Sequence, residues 1–173
     1  LGVHLRWTAF PLHPRTPPEG RTLEELFAGR PVDVAQMKIH VRQTAQQLGL
    51  PFGERAKTYN SRLAQELGKW AEAKGQGDAF HEAVFTAYFV EGRNIYQTEI
   101  LAGIAEKVGL PGQEAAEIIR TRAFKEAVDQ DWQRSHAKGV TAVPTFGMND
   151  RLLTGFQPDA ALAAFVQAAA GVG

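Results

Sequence analysis

The residues with the most chemical content in this 173-residue chain run from Gly139 to Phe146, GVTAVPTF. Pro144 sits inside a β-rich run, and a proline offers a ladder no amide donor, so the strand containing it must lie at an edge or begin there. Two conformations fit the residues alone. One is a trans proline entering an ordinary edge strand; the other is a cis Val143-Pro144 bond at the start of the strand, with the backbone before it left exposed at the turn.

Other reactive side chains are sparse. The five histidines, His4, His13, His40, His81 and His136, show no H-x-x-x-H spacing, so a metal site is not expected. Ser61 and Ser135 are the only serines; neither lies in G-x-S-x-G, and Ser61 is read as a helix cap. None of the 17 glycines falls in a G-x-G-x-x-G or phosphate-loop pattern. With no cysteine, these residues can form no disulfide, thiolate zinc site or thiol nucleophile. The 19 Lys and Arg balance 19 Asp and Glu, which argues against nucleic-acid binding. Neither a membrane span nor an export signal is expected, because Ala160 to Ala170 is too short and Leu1 to Leu12 alternates around His4 and Arg6.

The elements that must position Pro144 follow from periodicity. Val3 to Ala9 alternates as a strand, and a Pro-rich ordered loop follows, from Phe10 to Arg21. A short helix spans Thr22 to Phe27 with Thr22 and Glu25 in capping-box spacing. Asp33 caps a long helix whose stripe is Val34, Met37, Val41, Ala45 and Leu48.

Further helices start near Ser61, Asp78, Thr98 and Pro111, and another runs from Ala123 to His136 with Phe124, Ala127, Val128 and Trp132 on its apolar face. The aromatic set Phe80, Phe85, Tyr88 and Phe89 has helical spacing and is expected to be mainly core. The period then returns to strand. Val140 to Met148, a turn at Asn149-Asp150, and Arg151 to Thr154 form a hairpin, and Pro158 opens a last helix that ends near Gly171.

A helix, then G-V-x-x-V-P-T-F, a hairpin, G-x-Q-P and a terminal helix closely resemble the C-terminal half of DsbA-family thioredoxin-fold proteins. The FrnE-type branch, which carries a large helical insertion, is similar at three more segments: RWTAFPLHPRTPPEGR (Arg6 to Arg21), NSRLAQELGKWAEAKG (Asn60 to Gly75) and FHEAVFTAYFVEGRNI (Phe80 to Ile95). The resemblance implies an α/β, thioredoxin-like fold. Residues 1–31 and 121–173 would be its two parts, and 32–120 the helical insertion domain.

It also implies thiol–disulfide exchange, with Ala142, Val143 and Pro144 forming the cis-proline loop against which a substrate's backbone pairs. His13, Phe85 and Phe89 would line a groove near that loop. Partners would be thiol or disulfide proteins, or glutathione as a thiol substrate, with no other cofactor, no nucleic acid and no membrane. A homodimer is compatible, and the cytoplasm is the expected compartment.

The family's Cys-x-x-Cys is absent from these residues. A first βα unit of roughly 30 residues is therefore expected to precede Leu1, or another chain to fill its slot; the alternative is that this homologue has diverged and pairs its strands differently. A glutathione-dependent isomerase or kappa-class transferase is the alternative, with serine in the cysteine position. Such enzymes follow the hairpin with an Asp-Arg pair, whereas here the stretch reads Gly155, Phe156, Gln157, Pro158 and Asp159. A redox-inactive peptide-binding module is the third reading.

Overall fold

The computed structural model describes residues 2–171. They divide into two compact units, one of His13–Ala127 and one of Leu1–Leu12 with Val128–Gly173.

The first unit is helical. It contains α1 (Leu23–Leu26), α2 (Val34–Gln47), α3 (Arg62–Ala73), α4 (Gly77–Phe85) continued by a π-helical turn (Thr86–Val90), α5 (Thr98–Lys107) and α6 (Gly112–Thr121). Its core is built on α3, where Leu63, Leu67, Trp70 and Ala71 recur at helical spacing and are buried. Phe80 and Val84 of α4, Leu101, Ile104 and Ala105 of α5, and Ala115 and Ile119 of α6 close around them. Each fully buried Leu, Ile or Phe in such a cluster contributes about 1.5–3 kcal/mol of transfer free energy.

A carboxylate also lies in this interior. Glu66 of α3 is 1% exposed and accepts from Arg62 Nε at 2.5 Å and from Arg122 Nε and Nη2 at 2.7 and 2.6 Å. Arg122 caps α6 in the left-handed region, φ 56°. That conformation costs a non-glycine residue about 1 kcal/mol, and it delivers the guanidinium to Glu66. Burial, the largest single influence, pushes the Glu66 pKa up. The hydrogen bonds and charges of Arg122 and Arg62 together outweigh it and hold the carboxyl below its ordinary value.

Several helix starts follow the sequence expectation. Thr22 and Glu25 make the full capping box, and Asp33 Oδ1 accepts from Gln36 N at 3.0 Å. Ser61 does not cap α3 with its side chain; Asn60 Oδ1 takes the Arg62 amide at 2.9 Å instead. Thr98 is the first residue of α5, with Gln97 in the cap position before it.

The stripe expected on α2 is a correction. Only Ala45 is buried, while Val41 and Leu48 are 41% and 50% exposed. Periodicity shows which side chains share a face, not whether another element covers it. Here α2 is started by its Asp33 cap and carries the exposed ion pairs Lys38–Glu24 and Arg42–Glu54, which add little stability.

The expected aromatic core is corrected in the same way. Phe80 is buried, but Phe85 and Phe89 are 45% and 36% exposed.

The second unit contains α7 (Lys125–Ala137, whose first residues fall at the junction), β1 (Thr145–Met148), β2 (Arg151–Thr154) and α8 (Asp159–Ala170). The strands pair antiparallel with Thr145 opposite Thr154 and Phe146 opposite Leu153. Asn149 turns the hairpin at φ 53°, and its side chain donates to Ala169 O at 2.8 Å. Lys138 Nζ donates to Asn149 O at 3.1 Å, so the turn is tied to the ends of both α7 and α8. Pro158 precedes the first residue of α8 rather than opening it, and Gly171 ends it in the left-handed region.

Residues 3–9 are not a strand, contrary to the alternation of their side chains, because no ladder partner lies beside them among the described residues. Their backbone is held by a side chain instead. Asp131 of α7, 2% exposed, accepts the Ala9 amide at 3.0 Å. The buried face of α7 is Val128, Asp131 and Ser135, with Phe124, Ala127 and Trp132 only half-buried.

Candidate functional site

The Val143-Pro144 peptide is cis, so the second of the two conformations open to the sequence is the one adopted. The loop is fixed from behind by short-range bonds. Thr145 Oγ1 donates to Ala142 O at 2.7 Å, and the Thr145 and Thr154 hydroxyls are 3.3 Å apart across the ladder. The Gly155 amide donates to Pro144 O at 2.8 Å. Gly155 does so at φ 91°, a backbone that side chains rarely adopt, and Gln157 Nε2 closes the turn on Thr154 O at 3.0 Å.

The front of the loop is open. Val143 is 44% exposed and Pro144 is exposed as well. Among the described residues no hydrogen bond engages the Val143 N–H or C=O. A rigid, exposed peptide unit with a free donor and a free acceptor can pair with an extended backbone laid beside it.

The remaining residues named from sequence lie in the helical unit. His13 packs edge-on against Phe27, ring centroids 6.4 Å apart. Burial and, secondarily, the Arg30 charge hold its imidazole below the ordinary histidine pKa. Phe85 and Phe89 lie together with centroids 6.2 Å apart, and Phe89 stacks on Phe52 at 6.2 Å. The structure thus brings Ala142, Val143 and Pro144 into one loop and Phe85 and Phe89 into one patch, with His13 beside Phe27.

Two residues were missed in the sequence. Asp131 falls three residues after Val128, on the helix face that turns inward, and a carboxylate at such a position is a signal of a buried acceptor. Arg55 lies over the Tyr88 ring at 4.2 Å and the Phe89 ring at 5.2 Å; a lone arginine in a loop carries no local signal of this. Among the described residues no three His, Asp or Glu side chains gather as metal ligands, and no helix is long and apolar enough to cross a membrane.

Comparison with known proteins agrees with this geometry. The family model of the DSBA-like thioredoxin domain matches residues 1–167. The Bacillus subtilis (strain 168) protein YwbO is 27% identical over 156 residues, spanning 88% of this chain and 76% of that protein. A probable DsbA oxidoreductase from Streptomyces coelicolor superposes with a TM-score of 0.85 at 22% identity, covering 96% of this chain and 75% of that one.

A 2-hydroxychromene-2-carboxylate isomerase gives 0.68 at 24% identity, covering 81% and 70%. The cytosolic disulfide reductase DsbM from Pseudomonas aeruginosa with GSH gives 0.59 at 24%, covering 83% and 80%. At these identities the structural likenesses establish the fold: thioredoxin-like, mostly helical, with a small two-stranded sheet.

Proposed function

This chain belongs to the DSBA-like thioredoxin domain family, and we propose from that premise that the whole protein exchanges thiols and disulfides with protein substrates or glutathione. A thiolate attacks one sulfur of a disulfide, forms a mixed disulfide and expels the other sulfur as a thiolate. A second thiol then attacks the mixed bond and frees the remaining sulfur. One dithiol is oxidised as one disulfide is reduced, with two electrons and two protons transferred in total.

The single observation that carries the reading is the exposed Val143-Pro144 loop, braced by Thr145 and Gly155 while Val143 keeps its N–H and C=O unengaged among the described residues. In this reading Ala142, Val143 and Pro144 hold the backbone next to the reacting sulfur. The chain as given has no cysteine, so the cysteine pair is assigned to a βα unit preceding residue 1, at a helix N-terminus that lowers the thiol pKa.

The edge of β1 that faces away from β2 has no partner among the described residues, which suits an added strand. The division into thioredoxin-like residues 1–31 and 121–173 around a helical insertion at 32–120 belongs to this reading. So do a groove lined by His13, Phe85 and Phe89, and a cytoplasmic location, the latter supported by likeness to a cytosolic disulfide reductase.

The experiment supplies the protein with its natural preceding sequence and presents glutathione disulfide or a disulfide-bonded peptide. Turnover that is abolished by alkylating the protein's thiols with iodoacetamide is expected. A complete protein without cysteine, or saturable glutathione binding with no disulfide turnover, overturns it; the latter favours the isomerase chemistry instead.

A further inference from the structure

The end of the hairpin that carries the Pro144 loop also carries the most exposed phenylalanine among the described residues. Phe156 is 59% exposed and its ring meets no other ring among them. Thr145 pairs with Thr154, and the Gly155 amide extends that pairing by one step onto Pro144 O at 2.8 Å. Val143 and Phe156 are the next residues out on the two segments, and Val143 is 44% exposed. A single apolar side chain on a surface is ordinary. Here two of them flank the peptide unit whose N–H and C=O are unengaged among the described residues.

The backbone on both sides of Phe156 is held. Gly155 is bonded to Pro144 O, and Gln157 Nε2 is spent on Thr154 O at 3.0 Å. The one charge between Gly155 and the first turn of α8 is Asp159, which is exposed. The cations of the hairpin lie at its other end, where Arg151 is opposite Met148 and Lys138 Nζ donates to Asn149 O. From Arg151 to Thr154 the strand runs roughly 10 Å, longer than the screening length of about 8 Å at physiological ionic strength. The Pro144 end of the hairpin therefore presents apolar surface and a carboxylate, without a cation from either strand.

We infer that Phe156 is a specificity-determining residue for disulfide exchange, selecting disulfides whose cysteine is flanked by apolar side chains and rejecting glutathione disulfide. The inference rests on the exchange reading and decides between its two classes of substrate. A substrate backbone paired with Val143 brings the neighbours of its cysteine to this rim, where an apolar group leaves water against the Phe156 ring. Glutathione disulfide has no apolar side chain to place there. It also carries more carboxylates than ammonium groups, and Asp159 in this turn has the same sign. The balance of the step is that of the exchange itself: the protein's dithiol becomes a disulfide as the substrate disulfide becomes two thiols.

The test is single-turnover quenched flow on the reduced protein with its natural preceding sequence, so that no other reductant takes part. Three substrates are compared: the symmetrical disulfides of acetylated and amidated Ala-Leu-Cys-Leu-Ala and Ala-Asp-Cys-Asp-Ala, and glutathione disulfide. The Leu peptide is expected to react about tenfold faster than the other two. In Phe156→Ala the ratio of its rate constant to that of glutathione disulfide should fall about tenfold, the lower end of what one apolar contact decides. Phe156→Leu should retain most of the ratio. Asp159→Asn should raise the glutathione disulfide constant about twofold to threefold, as loss of one exposed like charge predicts, and gives a reading independent of the ring.

Equal rate constants for the Leu and Asp peptides overturn the inference, as does a Phe156→Ala ratio that matches the wild type. Exchange with none of the three substrates overturns the exchange reading and this inference with it, so the two failures are told apart.

Discussion

The Gly155 amide donates to the Pro144 carbonyl at 2.8 Å, so the residue after β2 fixes the residue before β1. Gly155 makes this contact at φ 91°. Alanine there costs about 1–2 kcal/mol. Gly155→Ala should lower the urea midpoint accordingly and slow disulfide exchange by the full-length protein more than its loss of stability explains. Denaturation and turnover, measured on the same preparation, check both effects.

Asp131 holds the Ala9 amide at 3.0 Å while only 2% exposed. Asp131→Ala removes a buried charged acceptor from the half-buried Ala9 amide, a loss of about 1–2 kcal/mol. Hydrogen exchange should show the Ala9 amide losing protection, while α3 to α6, in the other unit, keep theirs.

Glu66 is the buried acceptor for two arginines. Glu66→Gln leaves both guanidinium groups short of a counter-charge and should destabilise the helical unit by about 2–4 kcal/mol. The wild-type carboxyl titrates below its ordinary value. Its contribution is therefore complete above the unfolded-state value near 4.5 and is lost as pH falls through the lower folded one. Thermal melts at successive pH values should show the acid slope flatten in the variant.

His13 carries the opposite charge change. Burial and the Arg30 charge lower its pKa from 6.5, so the unfolded chain binds the proton more readily than the folded one. Stability from this group is present above pH about 6.5 and declines as pH falls below it. His13→Gln should remove that part of the dependence between neutral pH and the lowered folded value, read from chemical denaturation.

The sequence pattern locates most helices because their caps and apolar stripes are local. Thr22 with Glu25, Asp33 with Gln36, and Leu63, Leu67, Trp70 and Ala71 all act as their spacing suggests. The Pro144 loop was legible for the same reason, its proline and hairpin being neighbours in the chain. What escaped depends on partners distant in sequence. Residues 3–9 alternate like a strand, yet a strand needs a neighbour to pair with. Val41, Leu48, Phe85 and Phe89 sit at apolar spacing, yet they stay exposed because nothing in their own segments fixes what lies opposite. Arg55 meets Tyr88 and Phe89 only through the close approach at Gly53.

The most direct test of the central claim is amide hydrogen exchange at Val143 in the full-length protein, free and then trapped as a mixed disulfide with a cysteine-containing peptide. The Val143 amide has no partner among the described residues of the free chain, so it should exchange rapidly. In the mixed disulfide it should become protected by the peptide backbone, while the Gly155 amide stays protected in both states. A mixed disulfide that forms and turns over with the Val143 amide still exchanging freely would contradict the account.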